Sequence, residues 1–270
     1  MNLIYSCVFV QESFINLIYL LLLSYKLYGE IDYDYLIITH PVFEKKIMKI
    51  FSMFKVNGKI WRLNINETVA SAFSRLHIFK YPEIHNYKKI LYLDCDVLII
   101  DSLKKLFDVK LENKLYAIKE GNTTTEHHGK TVWEFKKEIN PKKTAFSSGV
   151  LLFNNCKEIE KLFNDSLIHG ANYSNTLHQV PSCLDQPFII YEAITQNLHN
   201  NELLIAYAAN NPKPNLSHNI CIAHFPGGVG WVEGKIAKMW SFLIPLVKND
   251  SDKNEQFQLL MNSYFLLHFY

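Results

Sequence analysis

The 270-residue sequence lacks features that would place it in several specialised classes of protein. It has no strong charge of one sign, because 28 basic residues are balanced by 26 acidic ones. A dedicated nucleic-acid-binding domain has a strongly basic surface, so we expect no nucleic-acid partner. No apolar run approaches the ~20 residues that span a bilayer. No Lys or Arg precedes the first apolar run and no small-residue cleavage site follows it. We therefore predict neither a transmembrane segment nor a signal peptide.

Cysteine is scarce and widely scattered. The five cysteines are odd in number and form no Cys-x-x-Cys pair: Cys7, Cys95, Cys156, Cys183 and Cys221. A disulfide framework and a structural zinc site both use paired, regularly spaced cysteines. We predict that these cysteines are reduced and that the protein is cytoplasmic, in the host cytoplasm if its source is viral.

The composition is that of a folded protein with an ordinary core. Hydrophobic residues make up 49% of the chain and charged residues 20%, both typical of globular proteins. We find no internal repeat and no low-complexity linker, and the length suits one large domain. We predict one domain over residues 1–245, with a helical C-terminal extension at 246–270 packed on it.

The first hundred residues alternate between two kinds of pattern. Short apolar, β-branched runs predict strands at residues 3–10, 33–39, 59–63 and 89–93. Between them, helical patterns cover residues 14–28, residues 68–79 and a segment that begins at Pro41. Strands that alternate with helices over short connections indicate an α/β fold, with a mixed, mostly parallel central sheet flanked by helices.

The second half of the chain is less regular. We predict strands at residues 115–119, 146–153 and 219–225, and helices at residues 157–167, 184–198 and 255–270. The polar segment 121–130 is predicted to be a mobile loop, because it has no apolar periodicity.

Two acidic residues follow one of the predicted buried strands. Asp94 and Asp96 come directly after residues 89–93, and ligands of open α/β sheets bind at the carboxyl ends of the strands. Two neighbouring carboxylates repel each other unless a cation neutralises them, so a divalent metal is the natural partner. Such a metal can hold a diphosphate as a leaving group. Asp-x-Asp also occurs in solvated turns, but its place after a buried strand favours the metal.

A histidine near the other end of the chain has a similar position. His224 closes a predicted strand and is followed by Gly227, Gly228 and Gly230. Glycine allows the backbone to approach phosphate oxygens closely, and a neutral imidazole can complete a metal's ligand set. A hydrogen-bonded structural histidine is the alternative. The glycine loop and the upstream Asp-x-Asp together favour a ligand.

The order of these motifs resembles the glycogenin-like retaining glycosyltransferases of family 8, which have the GT-A fold. The resemblance spans roughly residues 3–240, with YLDCDVLI at 92–99, FSSGVLLFN at 146–154, LDQ at 184–186 and HFPGG at 224–228. It implies one GT-A (Rossmann-like) domain with a nucleotide-binding half near residues 1–100 and an acceptor half near 101–245. It also implies a UDP-sugar donor, a carbohydrate or glycosylated-protein acceptor, and Mn²⁺, with Mg²⁺ as the alternative.

The resemblance also implies roles for individual residues. Asp94, Asp96 and His224 would bind the metal, and Asp185 and Gln186 would lie at the reacting centre. The UDP-sugar would contact the Asp-Cys-Asp segment, including Cys95, and a further set of residues: Val8, Val10, Gln11, Phe14, Arg75, Ser147, Ser148, Gly227, Gly228 and Lys235. From their local sequence alone, Phe14 would be a core aromatic, Arg75 a solvated helix charge and Asp185 a helix N-cap.

The sequence departs from the family pattern at several positions. Gly230 occupies the place of the usual late lysine, and Lys235 is expected to supply that cation; Thr144 and Ser147 replace an Asp and an Asn near the sugar. The resemblance implies transfer of a hexose, and because of these departures we do not choose between glucose and galactose. A sugar-1-phosphate nucleotidyltransferase is one alternative. Such an enzyme is expected to have a Gly-rich basic loop after the first strand, and residues 8–14 contain neither glycine nor lysine. A catalytically silent binding module is the other alternative, and a homodimer is left open.

Overall fold

The computed structural model describes residues 1–179, 181–213, 219–227 and 232–268, with side chains up to residue 261. A mixed seven-stranded sheet forms its centre. The strands of this sheet are β1 (Asn2–Val8), β2 (Asp34–Thr39), β3 (Gly58–Arg62), β4 (Lys89–Leu93), β6 (Leu115–Asn122), β7 (Thr144–Asn154) and β8 (His199–Asn200). They lie in the order β3-β2-β1-β4-β7-β6-β8.

The first four strands are parallel, and β7 runs antiparallel to both β4 and β6. The central strands are buried on both faces, because an apolar cluster covers each side of the sheet. Leu3, Ile4 and Tyr5 in β1 are all fully buried. Continuous apolar runs are typical of strands that are covered on both faces. The predicted α/β fold with a mixed, mostly parallel sheet is confirmed.

Helices flank both faces of the sheet. They are α1 (Phe14–Tyr28), α2 (Glu44–Phe54), α3 (Thr68–Phe73), α4 (Lys104–Asp108), α5 (Lys130–Lys136), α6 (Lys157–Leu177), α7 (Gln186–Thr195), α8 (Val232–Lys248) and α9 (Ser251–His268). The bounds of α1 and β4 are those that the sequence predicts. The predicted helix over residues 68–79 divides into α3 and a 3-10 helix at Ser74–Lys80.

A second, three-stranded sheet was not predicted. It contains β5 (Val97–Ile99), β9 (Ala208–Asn210) and β10 (Ile222–His224), in the order β5-β10-β9. β10 pairs antiparallel with β5, so His224 lies opposite Val97. The Phe225 N–H also donates to the Asp96 carbonyl at 2.9 Å. This small sheet therefore brings the end of β10 against the acidic segment after β4.

The structure of residues 121–130 differs from the prediction. They were expected to form a mobile polar loop, but β6 extends to Asn122 and a 3-10 helix covers Glu126–His128. The segment is held by local hydrogen bonds, among them Thr125 Oγ1 to His128 Nδ1 at 2.8 Å. Ser and Thr hydroxyls in such turns replace the apolar contacts that the sequence pattern lacks.

The C-terminal helices pack on the rest of the protein. The Trp240 and Phe257 rings lie 6.1 Å apart between α8 and α9, and Leu260 and Met261 pack against the core cluster that includes α1. The boundary expected at residue 245 falls within α8, at Pro245. Among the described residues, no helix has both the length and the apolar character needed to cross a membrane.

Candidate active site

Three metal-ligand side chains converge beyond the carboxyl end of β4. Asp94, Asp96 and His224 each offer one donor atom, and these atoms all lie within 4.8 Å of one another. His224 Nε2 is 3.4 Å from Asp96 Oδ1 and 3.9 Å from Asp94 Oδ2. The β5–β10 pairing causes this meeting, because it sets the last residue of β10 beside the chain that leaves β4.

Because Gly149 has no side chain, Asp94, Asp96 and His224 can meet beside it. A Cβ on this residue of β7 would lie 2.4 Å from His224 Nε2 and 2.9 Å from Asp94 Oδ2, and both contacts are too short for any side chain. Two carboxylates and one imidazole nitrogen are a donor set that Mn²⁺ and Mg²⁺ accept. The residues present therefore fit a divalent cation.

The buried carboxylate of the cluster is held in its charged form. Asp96 is 6% exposed, and burial alone would raise its pKa. His224 and Lys235 outweigh that effect, so the pKa of Asp96 falls to about 2. Lys235 lies in α8 and its Nζ is 2.5 Å from Asp96 Oδ2. An anion that stays ionised in a buried place requires cations around it.

Arg75 links the acidic cluster to a third carboxylate. Its Nη1 is 3.1 Å from Asp94 Oδ1, and its Nε is 3.0 Å from Asp185 Oδ2. The guanidinium also lies 4.6 Å from the centre of the Tyr92 ring and donates to the Ser148 carbonyl. Arg75 is only 9% exposed, so the alternative of a solvated helix charge is wrong. Burial opposes its charge, but Asp185 and Asp94 raise its pKa well above the ordinary value.

Asp185 immediately precedes α7 but does not cap it. Its side chain makes no capping hydrogen bond and faces Arg75 instead. The carboxylate is 2% exposed. Burial raises its pKa to about 6, against the lowering effect of Arg75 and with a further rise from Asp94. A carboxyl group of this kind changes its charge near neutral pH.

Gln186 connects α7 to β7 and to the 121–130 segment. Its Oε1 accepts from the Ser148 N–H at 2.9 Å, and its Nε2 donates to the His127 carbonyl at 3.0 Å. Ser147 and Ser148 are both buried. His127 was not predicted, because nothing in the polar segment indicated that its backbone would meet the start of α7.

A cavity of about 240 Å³ adjoins the acidic cluster. Nine of the predicted site residues line it: Val10, Gln11, Phe14, Arg75, Asp94, Cys95, Asp96, Gly227 and Lys235. The other described members of the predicted set do not line it: Val8, Ser147, Ser148, Asp185, Gln186 and His224. Val8 is fully buried in β1, and its carbonyl accepts from Thr39 Oγ1 at 2.7 Å. Gly228 lies outside the described residues.

Two sides of this cavity have unusual backbone. Val10 has φ +66°, and its neighbours close a tight turn in which the Gln11 N–H donates to the Phe9 carbonyl at 2.7 Å. On the Asp185 side, Cys183 and Leu184 have φ +64° and +54°. Branched side chains rarely adopt positive φ, and such strain concentrates at binding sites.

A family model for glycosyl transferase family 8 matches residues 37–229 of the chain. Among solved structures, the galactosyltransferase LgtC in complex with donor and acceptor sugar analogues has a TM-score of 0.59 and 16% identity, over 88% of this chain and 95% of LgtC. The bifunctional glycosyltransferase WbbM has the same TM-score and identity over 90% of this chain, which spans 51% of WbbM.

The glycosyltransferase GlyE of Streptococcus pneumoniae TIGR4 has a TM-score of 0.56 and 14% identity, over 98% of this chain and 63% of GlyE. At such identities the likeness shows the fold alone, which is the GT-A fold. No curated protein sequence matches the chain.

Proposed function

Because this chain belongs to glycosyl transferase family 8, we propose that it transfers a hexose from a UDP-sugar to an acceptor hydroxyl, with retention at the anomeric carbon. Glucose and galactose are the donor sugars we favour, and a carbohydrate or glycosylated protein is the acceptor. The observation that carries this proposal is the meeting of Asp94, Asp96 and His224 at the edge of a cavity. A divalent cation held by such ligands beside a cavity can bind a diphosphate and neutralise its charge.

The donor would enter with its uridine towards the loop after β1. Val10, Gln11 and Phe14 line this part of the cavity, and Phe14 also packs against the core. The diphosphate would then lie at the acidic cluster, with Lys235 close by. Lys235 would take the part of the family lysine that Gly230 replaces; Gly230 itself lies outside the described residues.

Mn²⁺ is the cation we propose for Asp94, Asp96 and His224, with Mg²⁺ as the alternative, and when bound it would neutralise charge on the diphosphate. The protein's own contribution is a second, fixed positive charge. The Lys235 side chain is 16% exposed, and its Nζ already lies beside Asp96. A preorganised cation near the departing UDP would stabilise the charge that develops there.

The surroundings of Asp185 support attack by the acceptor on the face that UDP leaves. The acceptor oxygen would bond to the anomeric carbon as the bond to UDP breaks, and the departing phosphate would take the acceptor's proton. Asp185 is 2% exposed and paired with Arg75, which disfavours it as a nucleophile. Gln186 is the residue we place against the sugar. A solved structure of LgtC is that of an active-site variant in which a glutamine is replaced by glutamate. An active-site glutamine in LgtC supports this placement of Gln186.

The test is release of UDP from a panel of UDP-sugars, with and without Mn²⁺. We expect metal-dependent release from one sugar and its loss in the Asp94→Asn/Asp96→Asn variant. Asp32→Asn/Asp108→Asn, which changes two exposed carboxylates, is the matched control and should keep full activity. UDP binding without release from any sugar would favour the silent binding module. Absence of both release and UDP binding would refute the proposal.

A further inference from the structure

A chain of polar side chains leads from the metal-ligand cluster to the large sheet. His224 Nδ1 is 2.7 Å from Asn210 Oδ1, and Asn210 Nδ2 donates to Glu120 Oε2 at 3.0 Å. β9 and β10 are parallel, with Asn210 and His224 in direct register, so their side chains point to the same face. Glu120 belongs to β6 of the other sheet. None of the metal-binding roles considered so far involves Asn210 or Glu120.

The chemistry of Glu120, Asn210 and His224 fixes the direction of the two hydrogen bonds that connect them. An ionised glutamate only accepts, so Asn210 must turn its NH₂ towards Glu120. The amide oxygen then faces His224 and accepts a hydrogen bond, which requires a proton on Nδ1. In the neutral imidazole, Nε2 therefore keeps its lone pair, and Nε2 is the atom that faces Asp94 and Asp96.

The reverse arrangement has an unfavourable contact. A flipped Asn210 amide would set its oxygen against the Glu120 carboxylate, and its NH₂ would require an Nδ1 without a proton. Without Glu120, the two orientations of the amide would differ little, because an amide presents both a donor and an acceptor. The side chain that selects the orientation is thus the one furthest from the cluster.

We propose that Glu120 is a positioning residue that fixes the tautomer and ring orientation of His224 through Asn210. The proposal rests on the metal-dependent function given above. A histidine that binds a metal through one nitrogen commonly donates the other N–H to such a partner, and loss of the partner typically costs about 10–100-fold in metal affinity. Here the partner is an amide, and a carboxylate in a second sheet decides which way the amide points.

The first test observes the tautomer in the metal-free protein. Long-range ¹H–¹⁵N correlation spectra report separately on a proton at Nδ1 and a proton at Nε2. We assign the signals by their loss in His224→Asn. In the wild type Nδ1 should carry a proton, whether or not Nε2 shares one with Asp96. Glu120→Gln, which can donate as well as accept, should give a mixture of tautomers.

A double variant tests the direction of the hydrogen bonds. In Glu120→Gln/Asn210→Asp, the new aspartate can only accept. It would take the His224 Nδ1–H on one oxygen and the glutamine N–H on the other, so Nδ1 should again carry a proton. Glu202→Gln is the matched control, because this exposed carboxylate pairs with Lys119, the neighbour of Glu120 on β6. It should keep the wild-type tautomer.

Mn²⁺ affinity, measured by calorimetry, is the second readout. We expect Glu120→Gln to weaken binding about 10-fold, and the double variant to recover it, with all variants unfolding at similar denaturant concentrations. An unchanged tautomer and affinity in Glu120→Gln would overturn the proposal, as would the same changes in Glu202→Gln. If the wild type shows the Nδ1–H tautomer and Glu120→Gln a mixture, but neither binds Mn²⁺, the role of Glu120 stands and the metal-dependent function fails.

Discussion

Lys235 and Asp96 form an ion pair in which Nζ lies 2.5 Å from Oδ2, across a separation of 139 residues in the chain. The pair sets a cation of α8 directly beside a carboxylate of the metal-ligand cluster. Lys235 and a bound metal would therefore share one buried anion. We therefore expect Lys235 to affect metal binding and the rate of UDP release in different directions.

Replacing Lys235 by alanine should separate these two effects. Mn²⁺ affinity should stay the same or rise, because a competing cation has left Asp96. The rate of UDP release should fall by about 100-fold, since one preorganised charge at the leaving group is lost. Lys238→Ala, which removes an exposed lysine of the same helix, is the control and should change neither quantity. A loss of Mn²⁺ affinity at an unchanged rate would contradict the role given to Lys235.

Gly149→Ala should damage the site and the fold together. The added Cβ would lie 2.3 Å from His224 Cε1, so the imidazole must move away from the carboxylates. We expect Mn²⁺ binding to be lost and the free energy of unfolding to fall by about 1–3 kcal/mol. Gly234→Ala in α8 is the control, because its Cβ would meet no atom within 4 Å. That change should raise stability by up to ~1 kcal/mol. Retained Mn²⁺ binding in Gly149→Ala would show that the cluster is not where the metal binds.

The pH dependence of stability should report on Asp185. Its pKa in the folded protein, about 6, lies above the ordinary aspartate value of 3.8. The folded state therefore binds a proton that the unfolded state has released, and stability falls as pH rises between these two values. Over this window the wild type should lose a few kcal/mol that Asp185→Asn does not lose. Urea unfolding of both proteins between pH 4 and pH 7 measures the difference. Parallel stability curves would mean that the pKa of Asp185 is not raised.

Val10→Gly should relieve strain at the cavity. Val10 has φ +66°, a conformation that costs a residue other than glycine about 1–3 kcal/mol. We expect stability to stay level or rise, and UDP binding by calorimetry to weaken, because the loop after β1 loses its preorganisation. Val42→Gly makes the same substitution at an exposed position without positive φ. It should lower stability by up to ~1 kcal/mol. Equal losses of stability at both positions would argue against strain at Val10.

The parts of the fold that the sequence predicts are those with strong local signals. α1 is an apolar helix that ends before Gly29, and β4 is an apolar run that ends at Asp94. The ligand cluster could be predicted because each of its members closes such a run. β5 and β9 were missed, because three residues carry too little periodicity to indicate a strand.

Partners that depend on tertiary pairing could not be predicted either. The burial of Arg75 between Asp94 and Asp185 requires the end of β4 and the start of α7 to meet the 3-10 helix at Ser74–Lys80, and no local pattern encodes that meeting. The positions of Asn210 and Glu120 could not be predicted for the same reason. Only the register of β9 against β10 and the approach of β6 bring these residues to His224. Local propensity is thus informative for elements and uninformative for such contacts.

The position of β10 also has a consequence for biosynthesis. During translation, N-terminal segments fold first. β1 to β4 can therefore form the parallel part of the sheet before the later segments have been synthesised. Of the described strands, only β10 pairs with β5, so Asp96 meets His224 and Lys235 only after the segments that form β10 and α8 have been synthesised. A nascent chain that ends before β10 would carry the loop after β1 without the assembled cluster. The three side chains would thus come together well after the parallel part of the sheet has been synthesised.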